Sequence, residues 1–268
     1  MRGRERTYRT EAIVLRRKDI GEADRILTLF TPEFGKVRAV AKGIRKPRSR
    51  KAGHLELFTC TKLLLAVGRD LDIITQAEGV EPYRPLRDDL LRNAYGGYMV
   101  ELLDRFTPDE EENTELYQLL RQGLDWAATA ADLALAARYY ELHLLGLAGY
   151  QPQLRRCVVC GRELAAVDQF FSSLEGGVVC PNCVAQRAGN PGPSGRLPLS
   201  LSGLKLLRYM QSSPYIKVAA LNVSARTQTE VEYLLARTIT EILERQLKSV
   251  EFLKLIRRGA AAPAAAVS

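Results

Sequence analysis

Between Thr7 and Val80 the apolar residues recur in short alternating or near-continuous runs separated by turn-forming residues, the period-two signature of β-structure. The pattern predicts strands over Thr10–Lys18, Asp24–Phe30, Lys36–Lys42, Glu56–Val67 and Leu71–Gly79. Thr31-Pro32-Glu33-Phe34-Gly35 and Gly68-Arg69-Asp70 read as hairpin turns, and Gly43–Gly53 as a longer polar loop. Five short antiparallel strands in about 80 residues suit a small barrel of the oligonucleotide-binding (OB) type, with an SH3-like barrel as the alternative.

After Glu81-Pro82-Tyr83-Arg84-Pro85 the period lengthens to about 3.6. Leu86, Leu90, Ala94, Tyr98, Leu102 and Phe106 share one helix face. A second helix is predicted from Glu115 to about Ala130, entered through the acidic run Asp109–Glu112, whose sign suits a helix N-terminus. A third, Leu133 to about Ala148, is apolar on nearly every side and reads as the buried centre of a helical body, with Gly149 as C-cap and Pro152 as stop. A cysteine module (Cys157–Cys183), a Gly/Pro-rich linker (Ala188–Pro198), helices at Ser200–Ser212 and Thr227–Leu247, and an Ala-rich tail (Gly259–Ser268) follow. The expectation is an α+β chain: an OB-type barrel at 1–80, then a helical domain at 81–268 carrying a zinc module at about 155–187.

The cysteines sharpen that picture. Cys157-Val158-Val159-Cys160-Gly161 and Cys180-Pro181-Asn182-Cys183 form a C-x2-C-x19-C-x2-C pattern, the spacing of a four-cysteine zinc site. Two residues between ligands let one tight turn aim both thiolates at a single ion. Four thiolates close the tetrahedron and leave no position for water, so the expected role of zinc is structural. A thioredoxin-type redox pair accounts for one C-x-x-C but not two. A deaminase site needs a proline before the cysteine pair, where this chain has Arg156 and Val179. Cys60, in a predicted strand, reads as a small buried hydrophobe.

Charge identifies the unit that meets a partner. Residues 1–80 hold 18 of the 39 basic and 10 of the 31 acidic side chains, the whole net charge of +8, while 81–268 balance at 21 and 21. In the strand Lys36–Lys42, alternation puts Lys36, Arg38 and Lys42 on the face opposite Val37, Ala39 and Ala41. The loop that follows adds Arg45, Lys46, Arg48, Arg50 and Lys51 with no acidic residue, and Arg16, Arg17, Lys18 and Arg25 belong to the same unit. Such crowding of like charge is relieved by a polyanion, so a nucleic-acid surface is expected, with a merely solvated loop or an anionic membrane surface as competing readings. Only Phe34, at a hairpin tip, reads as free to stack on a base. The expected binding is therefore electrostatic and indifferent to base sequence.

No phosphate-binding G-x-x-x-x-G-K-[ST] loop, G-x-S-x-G elbow or H-E-x-x-H helix occurs, and His54 and His143 read as ordinary loop and helix-packing residues. The expectation is a binding protein and not an enzyme. No apolar run reaches the roughly 20 residues of a membrane span, and no export signal is read, so a cytoplasmic location is expected.

Several motifs in order resemble the RecO recombination-mediator family of bacterial DNA repair. They are Glu11-Ala12-Ile13-Val14-Leu15, Gly21-Glu22-Ala23-Asp24-Arg25, Thr31-Pro32-Glu33-Phe34-Gly35-Lys36, Ala41-Lys42-Gly43, Leu144–Gly149 leading to Pro152, the first cysteine pair, Gly176-Gly177-Val178-Val179-Cys180, and Lys248-Ser249-Val250-Glu251-Phe252-Leu253. The resemblance implies an N-terminal OB fold, a helical body with a zinc module, and binding of single- and double-stranded DNA in the bacterial nucleoid. It further implies annealing of complementary strands coated by single-stranded-DNA-binding protein (SSB), contact with the acidic C-terminal tail of SSB through the helical body, and loading of RecA together with RecR and, in some species, RecF. An RNA- or ribosome-associated zinc-ribbon protein, and an interaction scaffold whose basic loop binds an acidic protein tail, remain the alternatives. RNA-versus-DNA duplex competition separates the first of these.

Overall fold

The computed structural model describes residues 6–186 and 195–261. Residues 1–5, positions 188–194 of the expected linker, and positions 262–268 of the expected tail lie outside them. Five strands, β1 (Thr7–Ile20), β2 (Asp24–Thr31), β3 (Gly35–Ala41), β4 (Cys60–Ala66) and β5 (Asp72–Glu81), form a closed barrel in the order β1-β2-β3-β5-β4. All neighbours are antiparallel except the short parallel pairing of β3 with β5, through Ala39–Asp72 and Val40–Ile73. This closed five-stranded arrangement is the OB-type barrel expected from the period-two pattern.

Alternation fills the interior with Ala12, Val14, Leu27, Leu29, Ala39, Ala41, Leu63, Leu65 and Ile74. A register shift between Val14 and Arg16 makes Leu15 the extra residue of a β-bulge. The bulge matters because side chains alternate with period two: without it, Arg16 and Lys18 would follow Ala12 and Val14 into the core. With it, Arg16 pairs with Thr28 and Lys18 with Ile26 on the outer face.

The expected strand Glu56–Val67 begins only at Cys60. A 3₁₀ turn at Ala52–His54 precedes it, and Leu55 and Phe58 are buried, Phe58 with a left-handed φ of 70°. The polar loop after β3 is likewise an ordered cap. Ile44 enters the barrel core, Gly43 donates its N–H to Asp24 Oδ1 at 2.7 Å, and Arg45 donates its backbone N–H to the Ala23 carbonyl at 2.9 Å.

The expected first helix is two: α1 (Pro85–Asp88) and α2 (Leu90–Phe106). Asp89 interrupts them in an extended conformation and caps α2 by accepting the Arg92 N–H at 2.9 Å. Helix α3 (Thr114–Thr129) follows. The barrel, these three helices and the last helix of the chain make one compact unit, and residues 130–247 make a second.

In the second unit α4 (Leu133–Leu147) is buried around most of its circumference and ends where Gly149 turns left-handed at φ 85°. A small sheet of order β7-β6-β8 (β6 Gln169–Ser172, β7 Gly177–Val179, β8 Leu197–Leu199) and α5 (Pro181–Gln186) surround the cysteines, elements of three to six residues that are too short to show a period in the sequence. Helices α6 (Leu201–Ser212), α7 (Tyr215–Ala219) and α8 (Ala225–Leu243) complete the unit. After Glu244, left-handed at φ 53°, helix α9 (Lys248–Ala261) returns to pack on α2, so the first residues of the expected tail are helical.

Candidate nucleic-acid interface and metal centre

The two cysteine pairs converge. The sulfur atoms of Cys157, Cys160, Cys180 and Cys183 all lie within 4.8 Å of one another, and those of Cys160 and Cys180 are 3.9 Å apart. A tetrahedron with Zn–S bonds of about 2.3 Å has edges of about 3.8 Å, so four sulfur donors at this spacing fit such an ion. The first knuckle closes through Gly161, whose φ of 72° few side chains tolerate and whose N–H reaches the Cys157 carbonyl at 2.9 Å. The Cys180 N–H points to Cys157 Sγ at 3.3 Å. Hydrogen bonds from the Arg162 backbone and guanidinium bring the Cys160 thiol down to about 6, whereas burial and the neighbouring sulfurs push Cys183 up to about 12. Val179, Leu164 and Phe170 pack around the cluster, so a metal there would serve as the core of a module too small to have another.

The cations of the barrel fall into three groups. On the outer face of β1–β2–β3, Arg16, Thr28 and Arg38 stand side by side in consecutive strands. Lys18 is exposed one step further along β1. This row lines a groove of about 470 Å³ whose other walls are Ile26, Arg17, the edge of Lys36, and Asp104, Arg105 and Asp109 at and beyond the end of α2. At the end of the barrel, Lys42, Arg45, Lys46, Arg48 and Arg50 are exposed on the ordered cap. Between the two runs a seam of mixed charge, in which Arg25 binds Asp19 at 2.6 Å and lies 3.6 Å from Glu56, Arg17 pairs with Glu56, and Arg45 is 3.5 Å from Asp19. Arg25 lowers the Asp19 carboxyl, and burial together with the nearby Arg25 and Arg87 lowers the Arg17 guanidinium.

Three cations predicted for the surface are engaged elsewhere. Lys36 points outward as alternation requires, but at its end of the barrel α2 covers that face. Its side chain is 10% exposed, and its ammonium donates to the carbonyls of Asp104 and Thr107 at 2.9 Å each and to Asp104 Oδ1 at 3.2 Å. The Arg25 side chain is 16% exposed within the seam. Lys51 is half-buried with Nζ on the Ile74 carbonyl at 3.0 Å, and burial lowers its pKa. Phe34 is not a free stacking surface either, since its ring meets Tyr8 edge-on at 4.7 Å. Conversely, Arg105 and Arg87 join the cationic surface from the helices, where no local pattern separates them from ordinary helix-surface arginines.

Two family descriptions match the chain: Recombination protein O N terminal over residues 1–83 and Recombination protein O C terminal over residues 87–251. The DNA repair protein RecO of Roseiflexus sp. (strain RS-1) is 45% identical over 256 residues, 95% of this chain and 88% of that protein. Those of Pelotomaculum thermopropionicum and Dehalococcoides mccartyi (strain 195) are 41% and 34% identical, covering 92% and 94% of this chain and 93% and 96% of theirs.

Proposed function

The chain belongs to the RecO family, and on that premise we propose that it is a DNA-binding mediator of repair and homologous recombination, working without covalent catalysis. The observation that carries this reading is the row Arg16–Thr28–Arg38 on the open face of the barrel, the β1–β2–β3 surface that OB folds use for oligonucleotides. With the barrel-end cations Lys42, Arg45, Lys46, Arg48 and Arg50 beyond the seam it offers two phosphate-neutralising patches on residues 1–80. Among the described residues no aromatic platform accompanies it, so it should grip single and double strands alike through their backbones.

Annealing then follows from electrostatics. Two complementary strands repel through their phosphates, and a bound cationic surface lowers that repulsion while bases find their partners. A second contact to the SSB on the same DNA would raise the local concentration where annealing is needed. In the second unit, a groove of about 480 Å³ between α6 and the start of α8, lined by Leu206, Tyr209, Leu221 and Val223 with Lys205 beside them, suits a short acidic tail. RecR, in some settings RecF, and through them RecA are the remaining partners in this reading. The four-cysteine centre would hold structural Zn²⁺ and take no part in strand exchange. Among the described residues no helix is long and apolar enough to cross a membrane.

The test is annealing of SSB-coated complementary oligonucleotides. The wild-type chain should accelerate it, and charge reversal at Arg38 and Arg48 should remove both annealing and DNA binding with zinc content intact. Binding that prefers A-form RNA over DNA in competition would instead favour a ribosome- or RNA-associated role.

A further inference from the structure

We infer that Asp104 is a positioning residue for DNA binding: its buried carboxylate holds Arg16 in line with Arg38 across the groove. This rests on the reading of the open barrel face as the DNA surface.

Asp104 lies in the last turn of α2, where the helix dipole disfavours a carboxylate, and its side chain is only 4% exposed. The helix end does not need it. Lys36 already supplies the cation that a helix C-terminus favours, with Nζ on the carbonyls of Asp104 and Thr107. What the carboxylate adds is a bridge. Oδ1 accepts from Lys36 at 3.2 Å, and Oδ2 pairs with a terminal guanidinium nitrogen of Arg16. Arg16 is 53% exposed, so one edge of its planar fork is pinned to buried protein while the rest faces the groove. The bulge at Leu15 puts Arg16 opposite Thr28, and Thr28 opposite Arg38, which has no carboxylate within 4 Å among the described residues. Two guanidiniums separated by one threonine thus form a preset phosphate-binding pair, one of them held from behind by a base plate that also secures Lys36.

Long-range electrostatics and local positioning predict opposite signs for one substitution. Asp104→Asn removes a negative charge beside the DNA surface and by charge alone should tighten binding. If Asp104 positions Arg16, the same change should weaken single-stranded DNA binding by about three- to tenfold at fixed salt and reduce the salt slope by about 0.7, one phosphate contact. Arg16→Gln should produce a similar loss, and Asp104→Asn should add nothing in that background. Arg16→Lys, which keeps the charge but loses the fork, should resemble Arg16→Gln.

The experiment is fluorescence anisotropy of a labelled oligonucleotide against the full chain, from 50 to 200 mM salt, with melting curves confirming folding. Lys36 retains two carbonyl acceptors in Asp104→Asn, and the two Arg16 variants test the idea independently should that variant misfold. Tighter or unchanged binding by Asp104→Asn, an equal loss in the Arg16→Gln background, or wild-type binding by Arg16→Lys would each overturn the inference. If Arg16→Gln and Arg38→Gln both bind like wild type, the DNA reading of this face fails as well, and the inference with it.

Discussion

The Cys160 and Cys180 sulfurs, one from each knuckle, stand 3.9 Å apart, close to the edge of about 3.8 Å of a tetrahedral four-thiolate zinc site. Four thiols gathered in a compact cluster are a poor end in themselves, since packing apolar residues there would be less costly than crowding groups that ionise. The chain as purified should carry about one zinc per molecule by elemental analysis, and Cys160→Ser or Cys183→Ser should lose it. Thiol labelling gives a second check. Burial pushes the Cys60 thiol up to about 11, so after chelation four of the five cysteines should react and Cys60 only on unfolding.

Lys36 separates what the sequence shows from what it hides. Alternation along β3 correctly puts its side chain on the outer face of the strand, yet no local pattern reveals that α2, more than sixty residues later, ends over that face. The two cysteine pairs were legible because ligand spacing is a local property, and the barrel because period two survives in each strand separately. The bulge at Leu15 was not legible, since a run of four apolar residues, Ala12–Leu15, fits either phase. Nor was α9, which begins where the last expected helix stops at Leu247 and packs on α2, more than a hundred residues earlier in the chain.

Burial changes the expected consequence of substituting Lys36. Lys36→Met leaves the Asp104 carboxylate with Arg16 as its one cation and the Asp104 and Thr107 carbonyls without their donor, which should cost about 1–3 kcal/mol of stability, whereas Arg38→Met on the exposed face should cost under about 0.5 kcal/mol. Urea unfolding of both variants checks this. A loss of DNA binding in Lys36→Met at temperatures where it is unfolded is then a stability effect.

The barrel-end cap should behave in the opposite way. Arg45, Lys46, Arg48 and Arg50 are exposed, and the cap is held mainly by Ile44, Gly43 and the backbone of Arg45; of the four charges only Arg45 adds a contact among the described residues, at the surface, 3.5 Å from Asp19. Reversing all four to glutamate should leave the melting temperature nearly unchanged. It should lower the slope of log affinity against log salt on duplex DNA by about 3–4, if each side chain meets one phosphate at roughly 0.9 per contact. If six to ten phosphates are contacted in all, wild-type affinity should itself fall by about 10³–10⁵ between 50 and 200 mM salt, and a flat titration would remove the electrostatic account.

Helix α9 should be fastened by a single carboxylate. Glu101 on α2 accepts the backbone N–H groups of Ser249 at 2.7 Å and Lys248 at 3.2 Å, capping α9 from another helix. Burial raises the Glu101 carboxyl, but the hydrogen bonds from Ser249 and Lys248 outweigh it, and the net shift is downward. A depressed folded-state value means that the stabilisation is complete above the ordinary glutamate value of about 4.3 and is lost as pH falls through the lower folded value. Glu101→Gln should therefore cost about 1 kcal/mol at pH 7, the usual worth of a helix cap. The difference from wild type should persist down to about pH 5 and close only under more acid conditions, as urea titrations across that range would show; a difference that closes near neutrality would place the titrating group elsewhere.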